Sequence, residues 1–240
     1  MVPTNREAQT LSIDQSIVQQ VNRKSPEVLF IPTASEDNVD YCEAFRKQYE
    51  ERLGCSVQEL LLYRNRPSNR KIQMLIAQSD IIYVGGGNTL RMMNLWRQLG
   101  VDKALDKARK RGAILCGLSA GAICWFRQGN SDSRKFKDAS NKTLIKVTGL
   151  NYADVLMCPH YDVEKHRQPA LKTMMKTTQG VAVALDNCAA LHIKNDQYRI
   201  LASKQYKKAY LIYWHHGEYV KQVLKPSDNF QPLKELSKEN

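Results

Sequence analysis

Short apolar runs alternate with amphipathic stretches through the first half of the chain. Val28–Ile31 is wholly apolar and closes on Pro32, which predicts a buried strand ending in a turn. Tyr41–Leu53 has helical spacing, Val57–Tyr63 reads as a second strand, and Asn69–Gln78 reads as a helix. Asp80–Val84 predicts a third strand that runs into Gly85-Gly86-Gly87. Thr89–Leu99 and Val101–Lys110 follow as helices, and Ala113–Cys116 is a fourth strand leading through Gly117 into a helical stretch, Ala120–Phe126. Strand–helix alternation of this kind predicts an α/β fold, a three-layer sandwich with a mainly parallel sheet covered on both faces.

The second half is less regular. The polar, basic stretch from about 130 to Lys142 predicts a loop. Val155–Cys158, Val181–Leu185, Ala190–Ile193, Arg199–Ala202 and Ala209–Trp214 predict strands, with one helix over Lys165–Thr178. The close spacing of the last three strands predicts hairpins at one edge. No repeat, linker or boundary interrupts the pattern. A single domain over 1–240 is therefore expected, with residues 1–24 as an N-terminal extension and the polar 225–240 as a flexible tail.

Composition narrows the classes. Hydrophobic residues make up 42% and charged residues 25%, ordinary for a soluble globular protein. No apolar run approaches the ~18 residues of a membrane helix, and Met1–Asp14 carries no signal-peptide core, so a cytoplasmic protein without a membrane partner is expected. The cysteines Cys42, Cys55, Cys116, Cys124, Cys158 and Cys188 show no C-x-x-C spacing. They are expected as reduced thiols without zinc. The net charge is +12. However, Lys103, Lys107, Arg109, Lys110 and Arg111 alternate with Val101, Ala104, Leu105 and Ala108, as on the solvated face of an amphipathic helix. Nucleic acid is not expected as the main partner, although basic charge can draw acidic substrates toward a cleft.

Three motifs carry chemistry. Gly117-Leu118-Ser119-Ala120-Gly121 matches G-x-S-x-G between a predicted strand and helix, where a nucleophile elbow sits. Such a turn holds its serine in a strained conformation and projects the oxygen near a helix N-terminus. The Ala120 N–H is then placed for half of an oxyanion hole. The plainer alternative is a tight turn with a capping serine. Gly85-Gly86-Gly87-Asn88-Thr89 also joins strand to helix, and its glycines admit close approach of a ligand to backbone N–H groups. It lacks G-x-G-x-x-G spacing and a following Lys-Ser/Thr, and a capped turn is its plainer reading. Cys158-Pro159-His160-Tyr161-Asp162 follows a strand, at the edge where α/β sheets place ligand-binding groups. His160 is better placed than His166, His192, His215 or His216. A third group is needed to orient it, and Asp186, Asp132 and Asp162 all qualify, with Asp186 slightly preferred.

In this order and spacing, Val84–Thr89, Gly117–Ala122 and Pro159-His160 resemble the peptidase E family, which includes aspartyl dipeptidases and, more distantly, cyanophycinases. Ile31–Ser35 and Gly129–Ser133 are also similar, and the likeness spans about Val28 to Tyr213. The resemblance implies a fold like class I glutamine amidotransferases (flavodoxin-like), with serine where those enzymes use cysteine. It implies Ser119 as nucleophile, His160 as general base and then acid, and an oxyanion hole from Gly87 and Ala120. The activity implied is hydrolysis of short peptides, with neither metal nor cofactor.

Two departures stand out. Relatives carry an acidic residue where this chain has Asn187, so either Asp186 or Asn187 orients His160, with Asp132 as the other position the family offers. The short first strand and Gly-rich turn of relatives also have no counterpart before Ser12–Lys24, which would expose a sheet edge and leaves a homodimer open. An acidic substrate side chain would need cations or amides, and Arg127, Arg134, Lys135, Arg167 and Asn88 are the candidates. Three other readings compete. These are a non-catalytic binding protein on the same fold, an enzyme using Cys116 or Cys124, and a nucleic-acid binder.

Overall fold

The computed structural model describes residues 9–237, so the first eight residues of the expected extension and the last three of the expected tail lie outside it. The chain forms two compact units, Met1–Ala122 and Ile123–Asn240, where the sequence offered no boundary.

The first unit contains α1 (Leu11–Val18), β1 (Glu27–Ile31), α2 (Val39–Arg46), β2 (Ser56–Glu59), α3 (Asn69–Gln78), β3 (Ile81–Val84), α4 (Thr89–Leu99), α5 (Val101–Arg111), β4 (Ile114–Gly117) and the start of α6 (Ala120–Ile123). Its sheet has the order β2-β1-β3-β4 and is parallel throughout. Val28 and Phe30 point to one face, in a cluster with Cys42, Phe45, Tyr49, Ile81 and Tyr83, against which Ile17 and Val18 of α1 pack. Leu29 and Ile31 point to the other face and are also fully buried. Both faces of β1 and β3 are covered, which is why these two strands read as continuous apolar runs, unlike the edge strand β2. A π-helical turn, Lys47–Arg52, extends α2 and completes the helix expected over Tyr41–Leu53.

The strand expected to reach Tyr63 stops at Glu59. Leu60 N–H still donates to the Phe30 carbonyl, but the Tyr63 and Arg64 N–H groups turn to the buried Asp37 carboxylate, at 2.6 and 3.1 Å. Side-chain capture outcompetes the ladder there.

The second unit contains β5 (Phe126–Ser131), β6 (Ile145–Thr148), β7 (Ala153–Cys158), α7 (Arg167–Met175), β8 (Ala182–Leu185), β9 (Ala189–Lys194), β10 (Gln197–Ala202), β11 (Ala209–His215), β12 (Glu218–Leu224) and β13 (Gln231–Pro232). Six strands form a sheet of order β12-β11-β8-β7-β5-β6, parallel at its centre (β5-β7-β8) and antiparallel at its edges. Leu171 and Met175 of α7 pack on Leu156, Cys158, Ala182, Ala184 and Ile212. Strands β9, β10 and β13 form a small separate sheet.

The helix expected over Ala120–Phe126 ends at Ile123, and Phe126 opens β5. The carbonyls of Cys124, Trp125 and Phe126 are taken by the N–H groups of Leu150, Tyr152 and Asn151, contacts that local sequence does not encode. Strands β6 and β12 also lie where no strand was expected. Residues 231–236 carry structure: Leu233 N–H donates to Asp196, and Leu236 is buried. No helix among the described residues is long and apolar enough to cross a membrane.

Candidate active site

In the first unit, Ser119 follows β4 and opens α6 with φ 54°, left-handed backbone that a non-glycine residue adopts only under constraint. The constraint is visible in its neighbours. A Cβ on Gly117 would lie 2.5 Å from the Val84 carbonyl oxygen, and one on Gly121 only 2.0 Å from it. The elbow therefore closes against the end of β3 only because both flanking positions lack side chains.

The Gly85–Asn88 loop lies beside this elbow. A Cβ on Gly86 would sit 3.3 Å from the Ser119 Cβ. Gly87 has φ 141° and packs so tightly that a Cβ would lie 2.1 Å from the Ala34 carbonyl oxygen, which also accepts from Asn88 N–H at 2.7 Å. The Pro32–Ser35 turn thus backs the glycine loop. The N–H groups of Gly87 and Ala120 donate to no other described residue. Tyr41 completes the loop's support. Its ring packs where a Gly85 Cβ would fall, and its hydroxyl accepts from Gly86 N–H at 3.2 Å. Burial pushes the Tyr41 phenol up to about 12, so it stays neutral. Helical spacing gave no sign of this role. Asn88, expected to meet substrate, caps α4 instead: its side-chain oxygen accepts from Arg91 N–H at 3.1 Å.

In the second unit, His160 follows β7 with φ 57°. Its Nδ1 lies 2.7 Å from the side-chain oxygen of Asn187, in the turn after β8. An amide oxygen accepts, so the ring donates to it from Nδ1. The turn that presents Asn187 is tied down by Asp162, whose Oδ1 accepts from Asn187 N–H at 2.8 Å and whose Oδ2 accepts from Lys207 at 2.5 Å.

The preferred third member, Asp186, does not serve His160. Its side chain turns away, and Oδ2 accepts from Lys208 N–H at 3.2 Å while Oδ1 is buried without a partner. Burial and then the nearby Asp162 charge raise its carboxyl above the ordinary value. Consecutive residues of a turn project in different directions, and here the second one reaches the histidine. Asp132 is likewise committed elsewhere, to Lys135 and to the buried Arg167.

Arg127, expected to bind substrate, sits at the wrong end of the sheet for His160. It pairs with Asp154 and donates to the Gln179 carbonyl, whereas His160 lies beyond the opposite end of β7, past Cys158, itself about 13 Å from Asp154 at 3.3 Å per residue. Arg167 is 1% exposed, with Glu164 and the Asn130 carbonyl as partners at 2.6 and 2.7 Å. All six cysteines are free thiols. Burial pushes Cys116, beside the elbow, well above its ordinary value, which leaves it a poor nucleophile. No group of three or more His, Cys, Asp or Glu side chains among the described residues could hold a metal ion.

The chain is similar to peptidases in sequence, and to a peptidase of solved structure in fold. Over 208 residues, 86% of each chain, the protein is 38% identical to Uncharacterized peptidase YgaJ of Bacillus subtilis (strain 168). A 47-residue segment, 20% of each chain, is 43% identical to Peptidase E of Citrobacter koseri. The crystal structure of a peptidase from an acI-B1 Actinobacterium shares the fold, with TM-score 0.72 and 19% identity over 93% of this chain and 91% of that one. The model of Peptidase family S51 matches residues 3–201, and the chain belongs to that family.

Proposed function

We propose that this peptidase is of the serine type and hydrolyses short peptides through an acyl-enzyme on Ser119. The observation that carries the reading is the left-handed Ser119 backbone, held between two glycines that tolerate no Cβ. In this reading His160 Nε2 takes the Ser119 proton as Oγ attacks the peptide carbonyl. The Gly87 and Ala120 N–H groups receive the oxyanion, and His160 returns the proton to the leaving amine. Water then attacks the ester by the same route. Backbone donors aimed at the developing charge and a base in the right tautomer are what such a reaction needs.

A preference for acidic peptides draws on the net charge of +12. It draws nothing from Arg127 or Arg167, which are paired with Asp154 and Glu164, and Lys135 lies on the surface paired with Asp132. A panel of neutral and acidic dipeptides decides this, and equal turnover removes the preference.

The test of mechanism is labelling by a fluorophosphonate probe. Wild type should label, and Ser119→Ala and His160→Ala should not. Asn187 in place of an acidic group favours one second reading, a binding protein that retains the fold. An unlabelled wild type that turns over no dipeptide would make it the better reading.

A further inference from the structure

A neutral amide on His160 poses an electrostatic problem. When the ring takes a proton it becomes a cation, and Asn187 can orient that cation but cannot balance its charge. The structure holds a carboxylate one step further out. Asp162 stands two residues after His160 and reaches across to the turn of Asn187, bonding its N–H at 2.8 Å. Both loops are pinned by the one side chain, together with the Tyr161 N–H to Leu185 carbonyl bond at 3.0 Å. Lys207, from the loop between β10 and β11, closes the other oxygen at 2.5 Å. Two side chains that are only 21% and 30% exposed are thereby held in one geometry.

We propose that Asp162 is a positioning residue that sets Asn187 against His160 and supplies, one residue removed, the negative charge that stabilises the protonated ring. The proposal rests on His160 acting as the base. Burial alone would raise the Asp162 carboxyl, but the bonds from Lys207 and Asn187 outweigh it and hold it below its ordinary value, so the charge is present at neutral pH. The other charged or titratable groups around it are Asp186, buried with a raised carboxyl, and Lys208 and Tyr210 at the start of β11. Asp186 contributes less because it faces the Lys208 backbone. Lys207 tempers the Asp162 charge and sets how much of it the ring experiences.

Two substitutions test this with opposite signs. Asp162→Asn keeps an oxygen for the Asn187 N–H and removes the charge. Lys207→Met keeps the charge and removes its counter-ion. The direct readout is the titration midpoint of the His160 ring followed by NMR, assigned through His160→Gln. It should fall by roughly 0.5–1 pH unit in Asp162→Asn and rise by a smaller amount in Lys207→Met, in line with the effect of one nearby charge. In the Asp162→Asn background, Lys207→Met should move the midpoint little. The acidic limb of kcat/KM should shift with the midpoint, and kcat should fall about tenfold in Asp162→Asn while KM stays within about twofold, as when a supporting partner is lost. A midpoint unmoved by both changes, or moved in the same direction by both, overturns the proposal. An unlabelled Ser119 in wild type overturns the hydrolase reading instead, and the ring titration still decides the coupling to Asp162.

Discussion

His160 Nδ1 meets the side-chain oxygen of Asn187 at 2.7 Å, while the neighbouring carboxylate of Asp186 faces the backbone of Lys208. The side chain hydrogen-bonded to the histidine is therefore an amide, and the carboxylate of Asp162 bonds the backbone of that amide residue rather than the ring.

Substitution at the two neighbours should separate them. Asn187→Ala removes the ring's acceptor and should lower kcat roughly 10- to 100-fold, as loss of an orienting partner commonly does. Asn187→Asp places a charge directly on Nδ1 and should raise the His160 midpoint by about 1 unit or more. Asp186→Asn should leave kcat within about threefold. Steady-state kinetics with the ring titration decide the set, and a larger loss from Asp186→Asn than from Asn187→Ala would reverse the assignment.

Support for the oxyanion loop can be tested from behind. Tyr41→Phe removes the hydroxyl that accepts from Gly86 N–H and should cost about 1 kcal/mol of stability. It should also lower kcat more than it changes KM. Gly121→Ala forces a Cβ onto the Val84 carbonyl and should cost roughly 1–3 kcal/mol or more, with loss of probe labelling. Denaturant unfolding and labelling measured together would show whether the elbow tolerates the change.

The cations near the motifs should behave as structure. Arg167→Met strands Glu164 and Asp132 around a buried gap and should destabilise by about 3–5 kcal/mol. Arg127→Ala should leave the ratio of acidic to neutral dipeptide turnover unchanged, because Arg127 pairs with Asp154 at the far end of the sheet from His160. A selective rise in KM for acidic dipeptides in Arg127→Ala would contradict that placement.

Stability should carry a signature of Asp14. This carboxylate is 4% exposed. Burial raises it above its ordinary value despite hydrogen bonds from Tyr49, Thr10 and Gln48. A carboxyl that holds its proton more tightly when folded penalises the folded state as pH rises from its unfolded value through its folded one. The melting temperature of wild type should therefore fall relative to Asp14→Asn across that window, and the difference should become constant at pH values well below the unfolded carboxyl's pKa of about 3.9. Parallel melting curves at all pH values would show that Asp14 does not titrate differently on folding.

Much of this protein was legible in its sequence. Apolar runs alternating with amphipathic stretches specify the parallel strands and helices of the first unit, because a strand buried on both faces must be apolar throughout. The glycines around Ser119 and at 85–87 were equally plain, and at Gly87, Gly117 and Gly121 the backbone approaches too closely to admit a Cβ. What followed from tertiary structure was the company those residues keep. Strand β5 reads poorly as a strand, and it forms because β6 and β7 flank it and the 149–152 segment captures the carbonyls that a longer α6 would need. The partner of His160 was equally undecided, since Asp186 and Asn187 are adjacent and either could serve. Only the path of the turn after β8, clamped by Asp162 and by the backbone of Lys208, aims one at the ring and the other away. Local sequence encodes conformations within a few residues. Which side chain meets which across a sheet edge depends on contacts far apart in the chain, and those the folded structure alone decides.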